Sequence, residues 1–194
     1  MDNEPGVNIS GRELLALSAL SLLVYLFLAQ LLFYFFHDGG PLSAFAHGLT
    51  IPLQLLTGLF SGCTAAGMII FFASRSPVEQ VLEDFTLFRV IANTDFSSFD
   101  RIQVSLFAGI GEELLFRGAI QPLLGIWITS FIFIAIHGYF SFRSAGHILF
   151  GMLMFGLSMM LGILFEFSGL FAAMSAHAAY DMLMLWWVRG YRII

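Results

Sequence analysis

The sequence predicts an all-helical membrane bundle of about six transmembrane helices around a polar intramembrane cavity. Three observations support this fold class: 59% of the 194 residues are hydrophobic, only 11% are charged, and the apolar residues fall into long runs. Soluble domains use about 45–50% apolar residues, so the excess indicates that lipid surrounds the chain. A helix needs about 20 apolar residues to cross the hydrocarbon core, and the runs approach or exceed that length.

Six apolar runs give the order of the predicted spans, and turn-forming residues separate them. We treat residues 1–194 as a single integral membrane domain, in which two N-terminal spans (14–73) precede a four-span core (102–188). The runs cover residues 14–36, 51–73, 102–124, 125–140, 145–165 and 168–188.

The arginines indicate the orientation of these spans. Apart from Arg117, which lies within span three, they lie before span one, between spans two and three, between spans four and five, and after span six, where Arg189 and Arg192 follow the last run. Arginine concentrates on the cytoplasmic side of membranes, so we expect both termini to be cytoplasmic. The first run is longer than the apolar core of a signal peptide and follows acidic residues, which favours a permanent anchor.

The segment between spans two and three is amphipathic. Apolar residues recur at helical spacing over 78–92, with acidic residues and Arg89 between them. This pattern predicts either a helix lying along the cytoplasmic interface or a loop helix packed on the bundle. Ser97, Ser98 or Asp100 is expected to cap the helix that follows.

Composition also excludes some classes of function. A single Cys excludes a disulfide framework and a Cys-rich metal site. A net charge of −5 with no lysine and scattered arginines provides no basic patch, so nucleic acid is not an expected partner.

Three ionisable residues stand in the middle of the third apolar run, in the stretch GEELLFR at 111–117. A charge at mid-membrane costs at least about 2.5–3.5 kcal/mol, so such groups are paired, neutralised or turned towards a polar cavity. Glu113 and Arg117 are four residues apart and can pair on one helix face, which is also consistent with a purely structural role. Glu112 points about 100° away on a regular helix and needs another partner.

Other spans supply partners for Glu112. His137 lies late in span four, and His177 lies in span six with Asp181 one turn further on the same face. At 1.5 Å per residue, Glu112 and both histidines lie roughly 14–18 Å from one or the other membrane surface, so all three can meet at one level. His37, His47 and His147 lie in loops or at a span end, and we expect no catalytic role for them.

These residues resemble the signature of the CPBP intramembrane proteases, the family of the CAAX prenyl endopeptidases and the bacterial Abi proteins. GEELLFRG matches its E-E-x-x-x-R motif, FIAIH matches F-x-x-x-H with Phe133 and His137, and HAAYD matches the third motif, usually H-x-x-x-N. The three motifs occur in the family's order on consecutive apolar runs. The resemblance covers about 102–188 and leaves the first two spans without a motif.

The resemblance implies a role for each residue. Glu112 is expected to be the general base, and His137 to hold and polarise the attacking water. His177 is expected to donate to the developing oxyanion, while Glu113, Arg117 and Phe133 support the site.

Asp181 departs from the usual Asn of the third motif. An ionised Asp cannot donate a hydrogen bond as Asn does, so Asp181 is either protonated or orients His177. We favour the second alternative slightly, because carboxylate–histidine pairs fix imidazole tautomers well.

The resemblance also implies cofactors, partners and location. Zinc is disfavoured, because no H-E-x-x-H occurs and the resemblance points to a metal-free glutamate mechanism. The expected substrate is a membrane-anchored or lipidated peptide, such as a CAAX-like tail, a sorting tag or a leader peptide. The short chain suggests a prokaryotic protein of the inner membrane. A non-catalytic immunity or scaffold protein and a proton-coupled transporter remain alternatives, and the oligomeric state is not predicted.

Overall fold

The computed structural model describes residues 10–189, and within that range the chain is an all-helical bundle, which confirms the predicted fold class. Short 3₁₀-helices lie at Pro41–Phe45 and Glu79–Asp84, and a π-helical segment covers Leu114–Ile120. The α-helices of this range are α1 (Gly11–Phe36), α2 (Ile51–Ala73), α3 (Thr86–Asn93), α4 (Ser98–Glu113), α5 (Gln121–Ile136), α6 (Ala145–Ser168) and α7 (Leu170–Val188).

Local sequence signals explain where several helices begin. Ser10 and Glu13 form a capping box at the start of α1, in which each side chain accepts a hydrogen bond from the other residue's backbone N–H. Ser97 and Asp100 form the same arrangement at the start of α4, so the prediction of a cap in this region is confirmed. Pro52 stands in the first turn of α2, where its missing N–H costs nothing.

The predicted third and fourth spans follow one another without an intervening loop, and the chain folds back on itself between them. The chain reverses at Gly125, whose φ of 78° is a conformation that only glycine adopts easily. Phe133, eight residues beyond Gly125, packs edge-on against Phe116, which lies a similar distance before it. The stretch Ser98–Ile136 has 39 residues, about 58 Å of helix and nearly twice the hydrocarbon thickness, which agrees with two passes rather than one.

Within residues 10–189, four helical stretches are long and apolar enough to cross a membrane: Gly11–Phe36, Ile51–Ala73, Ser98–Ile136 and Ala145–Ser168. Helix α7, which carries His177 and Asp181, is not among them. The count of six crossings and the cytoplasmic placement of both termini therefore stay predictions. Arg192 contributed to that placement, and the acidic residues before position 10 contributed to the expectation of a permanent anchor; both lie outside the described residues.

Helix α7 packs against α2, α4 and α6 and so lies inside the bundle. Its contact with α2 depends on Gly58 and Gly62, a pair with the spacing that allows close helix approach in membranes. A Cβ added at Gly62 would lie 2.2 Å from the carbonyl oxygen of Ala176, and one at Gly58 would lie 2.3 Å from that of Ala172. The two backbones therefore touch beside His177.

The amphipathic segment at 78–92 forms two short helices, the 3₁₀-helix at Glu79–Asp84 and α3, instead of a single one. Phe85 separates them in an extended conformation. The buried apolar side chains of the 78–92 segment include those of Leu82, Phe85 and Phe88, so the segment packs on the bundle. Whether it also contacts the lipid interface stays a prediction.

Candidate active site

A π-helical segment follows the paired glutamates of the first motif. Glu112 and Glu113 are the last residues of α4, and Leu114–Ile120 continues with the wider π turn. Pro122 stands just after this segment. It cannot donate a backbone hydrogen bond, and in an α-helix its ring would clash with the carbonyl of Gly118. A regular series of α-helical hydrogen bonds therefore cannot run through this turn. π turns often occur at functional sites, because they re-aim side chains.

Glu113 and Arg117 form the ion pair that their spacing predicts, with 3.3 Å between Glu113 Oε2 and Arg117 Nε. Both side chains are fully buried. Arg117 also donates from Nη2 to the carbonyl oxygen of Ser158 at 2.9 Å and contacts its hydroxyl at 3.0 Å. Its guanidinium carbon lies 4.9 Å from the centre of the Phe133 ring. Arg117 therefore ties the π segment to both α5 and α6.

Glu113 forms the hydrogen bond that holds the ring of His177. The distance from His177 Nδ1 to Glu113 Oε1 is 2.7 Å, and the ion pair with Arg117 keeps Glu113 an acceptor, so Nδ1 donates this hydrogen bond. Glu113 therefore makes the shorter contact with this ring, and a role for Asp181 in orienting it stays a prediction. Asp181 lies 3.5 Å from the other ring nitrogen, Nε2, on the cavity side.

His137 follows the last residue of α5 and is held by that helix. Its Nδ1 donates to the carbonyl oxygen of Phe133 at 2.7 Å, and its ring stacks on the Phe133 ring with centroids 4.3 Å apart. Because Nδ1 carries this proton, a neutral His137 presents the lone pair of Nε2 to the cavity.

Glu112 lies between the two imidazoles. Its Oε2 is 3.5 Å from Nε2 of His137 and 4.0 Å from Nε2 of His177. The oxygen is buried and makes no hydrogen bond to any residue in the range 10–189. Residues from α4, the end of α5 and α7 thus converge at one level, as the depth estimate predicted.

These groups line one side of a cavity of about 380 Å³ that extends between α1, the 79–93 segment and α7. Glu112, His137, His177 and Asp181 are its ionisable acid and imidazole groups among the described residues. The rest of the lining is mostly aliphatic and aromatic. The arrangement can hold a polar reacting group beside a long apolar chain.

Tyr139 is a polar residue of the cavity wall that sequence reasoning missed. Tyr139 follows His137 by two positions, and its ring lies nearly parallel to the imidazole with centroids 5.9 Å apart. The only signal was its proximity in sequence to a motif histidine. The three histidines with no expected catalytic role make contacts elsewhere: His37 with the Ala119 carbonyl, His47 with the Phe165 carbonyl, and His147 with Ser144 and Asp84.

A family model supports the resemblance that the three motifs suggested. The model described as type II CAAX prenyl endopeptidase Rce1-like matches residues 95–183, a little under half of the chain. This segment is therefore similar to the Rce1-like family. The match begins just before α4 and ends in α7, so the Rce1-like segment contains all three motifs and excludes α1 and α2.

A curated bacterial relative also matches. The uncharacterized protein YpbD of Bacillus subtilis (strain 168) is 37% identical over 81 residues, which cover 41% of this chain and 41% of the relative. The match therefore spans less than half the length of that relative. No solved structure matches the chain at a significant level.

Among residues 10–189, no group of three or more His, Cys, Asp or Glu side chains is arranged to hold a metal ion. A metal-free mechanism for the Rce1-like segment stays a prediction, to be tested with a chelator.

Proposed function

We propose that the protein is an intramembrane endopeptidase that hydrolyses a peptide bond in a membrane-anchored or lipidated substrate. One observation carries the proposal: the buried Oε2 of Glu112 lies 3.5 Å and 4.0 Å from the Nε2 atoms of two histidines at the wall of a cavity. The match of residues 95–183 to the CAAX prenyl endopeptidases supports the reaction class.

Glu112 and His137 are suited to activate water. Both turn a lone pair to the cavity, so one water can donate a hydrogen bond to each, and its oxygen then faces the scissile carbonyl. As that oxygen bonds to the carbonyl carbon, one water proton passes to Glu112 and the carbonyl electron pair moves onto its oxygen. Glu112 then returns the proton to the departing amine. Proton transfer of this kind contributes about 10²–10⁴-fold.

His177 is suited to stabilise the oxyanion. Its Nδ1 is committed to Glu113, and Glu113, Glu112 and Asp181 together surround the ring with carboxylates, which favours the imidazolium. Protonated Nε2 can then donate to the developing charge. Arg117 supports this role indirectly, because its ion pair keeps Glu113 in the state that accepts from His177.

The cavity lining indicates the class of substrate. Most of the side chains around it are apolar, which suits a peptide that carries a lipid or a membrane helix. A CAAX-like tail, a sorting tag or a leader peptide each satisfies this description. We propose that the protein lies in the inner (cytoplasmic) membrane of a prokaryote; the similarity to a Bacillus subtilis protein supports the prokaryotic source.

The experiment compares wild type with Glu112→Gln in cells that lack the native protein. The termini of membrane proteins are mapped by mass spectrometry, and a prenylated CAAX-type peptide is assayed in liposomes. Glu112→Gln keeps the size of the side chain and removes its basicity, so we expect a folded protein in which cleavage falls by at least about 10²-fold. Glu83→Gln makes the same chemical change on an exposed side chain and should keep full activity.

The same experiment separates the alternatives. A scaffold or immunity protein would keep its cellular effect in Glu112→Gln, and no terminus would depend on the wild-type protein. A proton-coupled transporter would lose proton flux in liposomes without any change in termini. Either result would overturn the proposed protease.

A further inference from the structure

The site lacks one hydrogen-bond donor if it works as proposed. A tetrahedral oxyanion is stabilised by preorganised donors, and His177 supplies one of them. Asp181 occupies the position at which the related motif usually has an amide. The carboxylate of Asp181 lies 3.5 Å from His177 Nε2. When ionised, it can accept a hydrogen bond from the imidazolium but cannot donate one, and its negative charge repels an oxyanion. His137 spends its Nδ1 proton on the Phe133 carbonyl.

Tyr139 is a donor in the same cavity. Its phenol lines the wall together with Glu112, His177 and Asp181. No hydrogen bond from this hydroxyl to another residue occurs in the part of the chain that the structure describes, whereas the neighbouring Tyr180 already donates to the sulfur of Met154.

Packing holds the Tyr139 ring in place. It lies parallel to His137 within 12° and edge-on to Phe85 and Phe150, with centroid distances of 6.1 Å and 5.6 Å. Its backbone N–H donates to the carbonyl of Ile134 at 3.1 Å. A donor that is fixed before the substrate arrives needs little reorganisation during the reaction, which is the condition for strong oxyanion stabilisation.

We propose that Tyr139 is a catalytic residue whose hydroxyl donates a hydrogen bond to the carbonyl oxygen of the scissile peptide, replacing the donor that Asp181 cannot supply. The inference rests on the proposed protease function. Tyr139 keeps its proton throughout: the water proton goes to Glu112 and then to the leaving amine, and the phenol only stabilises the negative charge.

The test uses the full chain in liposomes with the prenylated CAAX-type peptide, and in cells with the termini of membrane proteins as the readout. Tyr139→Phe removes the hydroxyl and keeps the ring. We expect kcat to fall on the order of 10²-fold with KM and melting temperature unchanged. Tyr34→Phe makes the same change on the outer face of α1, away from the cavity, at a side chain that is 76% exposed. Its kcat should match that of wild type.

Asp181→Asn provides a second, independent arm. The new amide can donate where the carboxylate cannot, so the loss caused by Tyr139→Phe should shrink several-fold in this background. A Tyr139→Phe variant as active as wild type would overturn the inference and leave the ring as packing for His137. A defect of equal size in both backgrounds would also overturn it. If wild type and Glu112→Gln cleave nothing, the proposed function itself fails and the role of Tyr139 with it.

Discussion

The closest approach of α2 and α7 provides a direct test of how packing positions the site. Gly62 lies against the backbone of Ala176, the residue before His177. In Gly62→Ala the new Cβ would lie 2.2 Å from the Ala176 carbonyl oxygen, whereas ordinary contacts begin at 3.4 Å. The obstacle is a backbone atom and cannot rotate away. The helices must therefore separate by about 1 Å, and α7 carries His177 with it.

We expect Gly62→Ala to lower the free energy of unfolding by about 1–3 kcal/mol, the usual range for an overpacked interior. Cleavage should fall by about 10²-fold, because displacements of 1 Å have that effect on catalytic geometry. Unfolding is measured in detergent micelles by denaturant titration, and cleavage is measured with the liposome assay.

Gly67→Ala is the matched control in the same helix. Its added Cβ meets nothing within 4 Å, so replacing a helical glycine there should stabilise the protein by about 0.5–1 kcal/mol. If Gly62→Ala keeps the stability and activity of wild type, or if Gly67→Ala is equally damaging, the close backbone contact does not position His177.

Two further predictions concern the buried ion pair and the absence of metal. Arg117→Met should cost about 3–5 kcal/mol, because it leaves the Glu113 carboxylate buried without its cation. Arg117→Lys should also destabilise, since one ammonium cannot reach both Glu113 and Ser158. The control Arg89→Met changes an exposed side chain, so its free energy of unfolding should stay within about 0.5 kcal/mol of wild type in the same titration. If Arg117→Met lowers the free energy of unfolding by less than about 1 kcal/mol, the argument is wrong. A tight zinc chelator should leave peptide cleavage unchanged, whereas inhibition that added zinc reverses would show a metal enzyme.

Much of the fold could be predicted from the sequence, because lipid simplifies the pattern. A helix that crosses a membrane must be apolar over its whole length, so its ends coincide with the first polar or turn residues. The predicted run 51–73 is α2 to the residue. The reversal near Gly125 was also predictable, because Pro and Gly stand together there. The break at Phe85 was not, since helical spacing continues through it and tertiary packing of the ring on Phe150 decides the conformation.

The candidate site could be predicted in its members and less well in its pairings. Spacing placed Glu113 and Arg117 on one face, and depth placed Glu112 beside both histidines. Which carboxylate holds which imidazole depends on the direction of each side chain, and an expectation of 100° between Glu112 and Glu113 assumes a regular helix.

Glu112 and Glu113 themselves meet that assumption, because both belong to α4 and precede the π-helical segment. That segment begins right after Glu113, where the chain leaves the α-helical ladder ahead of Pro122. In the structure Glu112 and Glu113 approach the two nitrogens of a single imidazole ring. Glu113 binds Nδ1 of His177, and Glu112 faces Nε2. Two adjacent carboxylates can reach opposite nitrogens of one imidazole only if the ring lies across the helix end. We therefore infer that Glu113 holds the ring of His177, whose other nitrogen Glu112 faces.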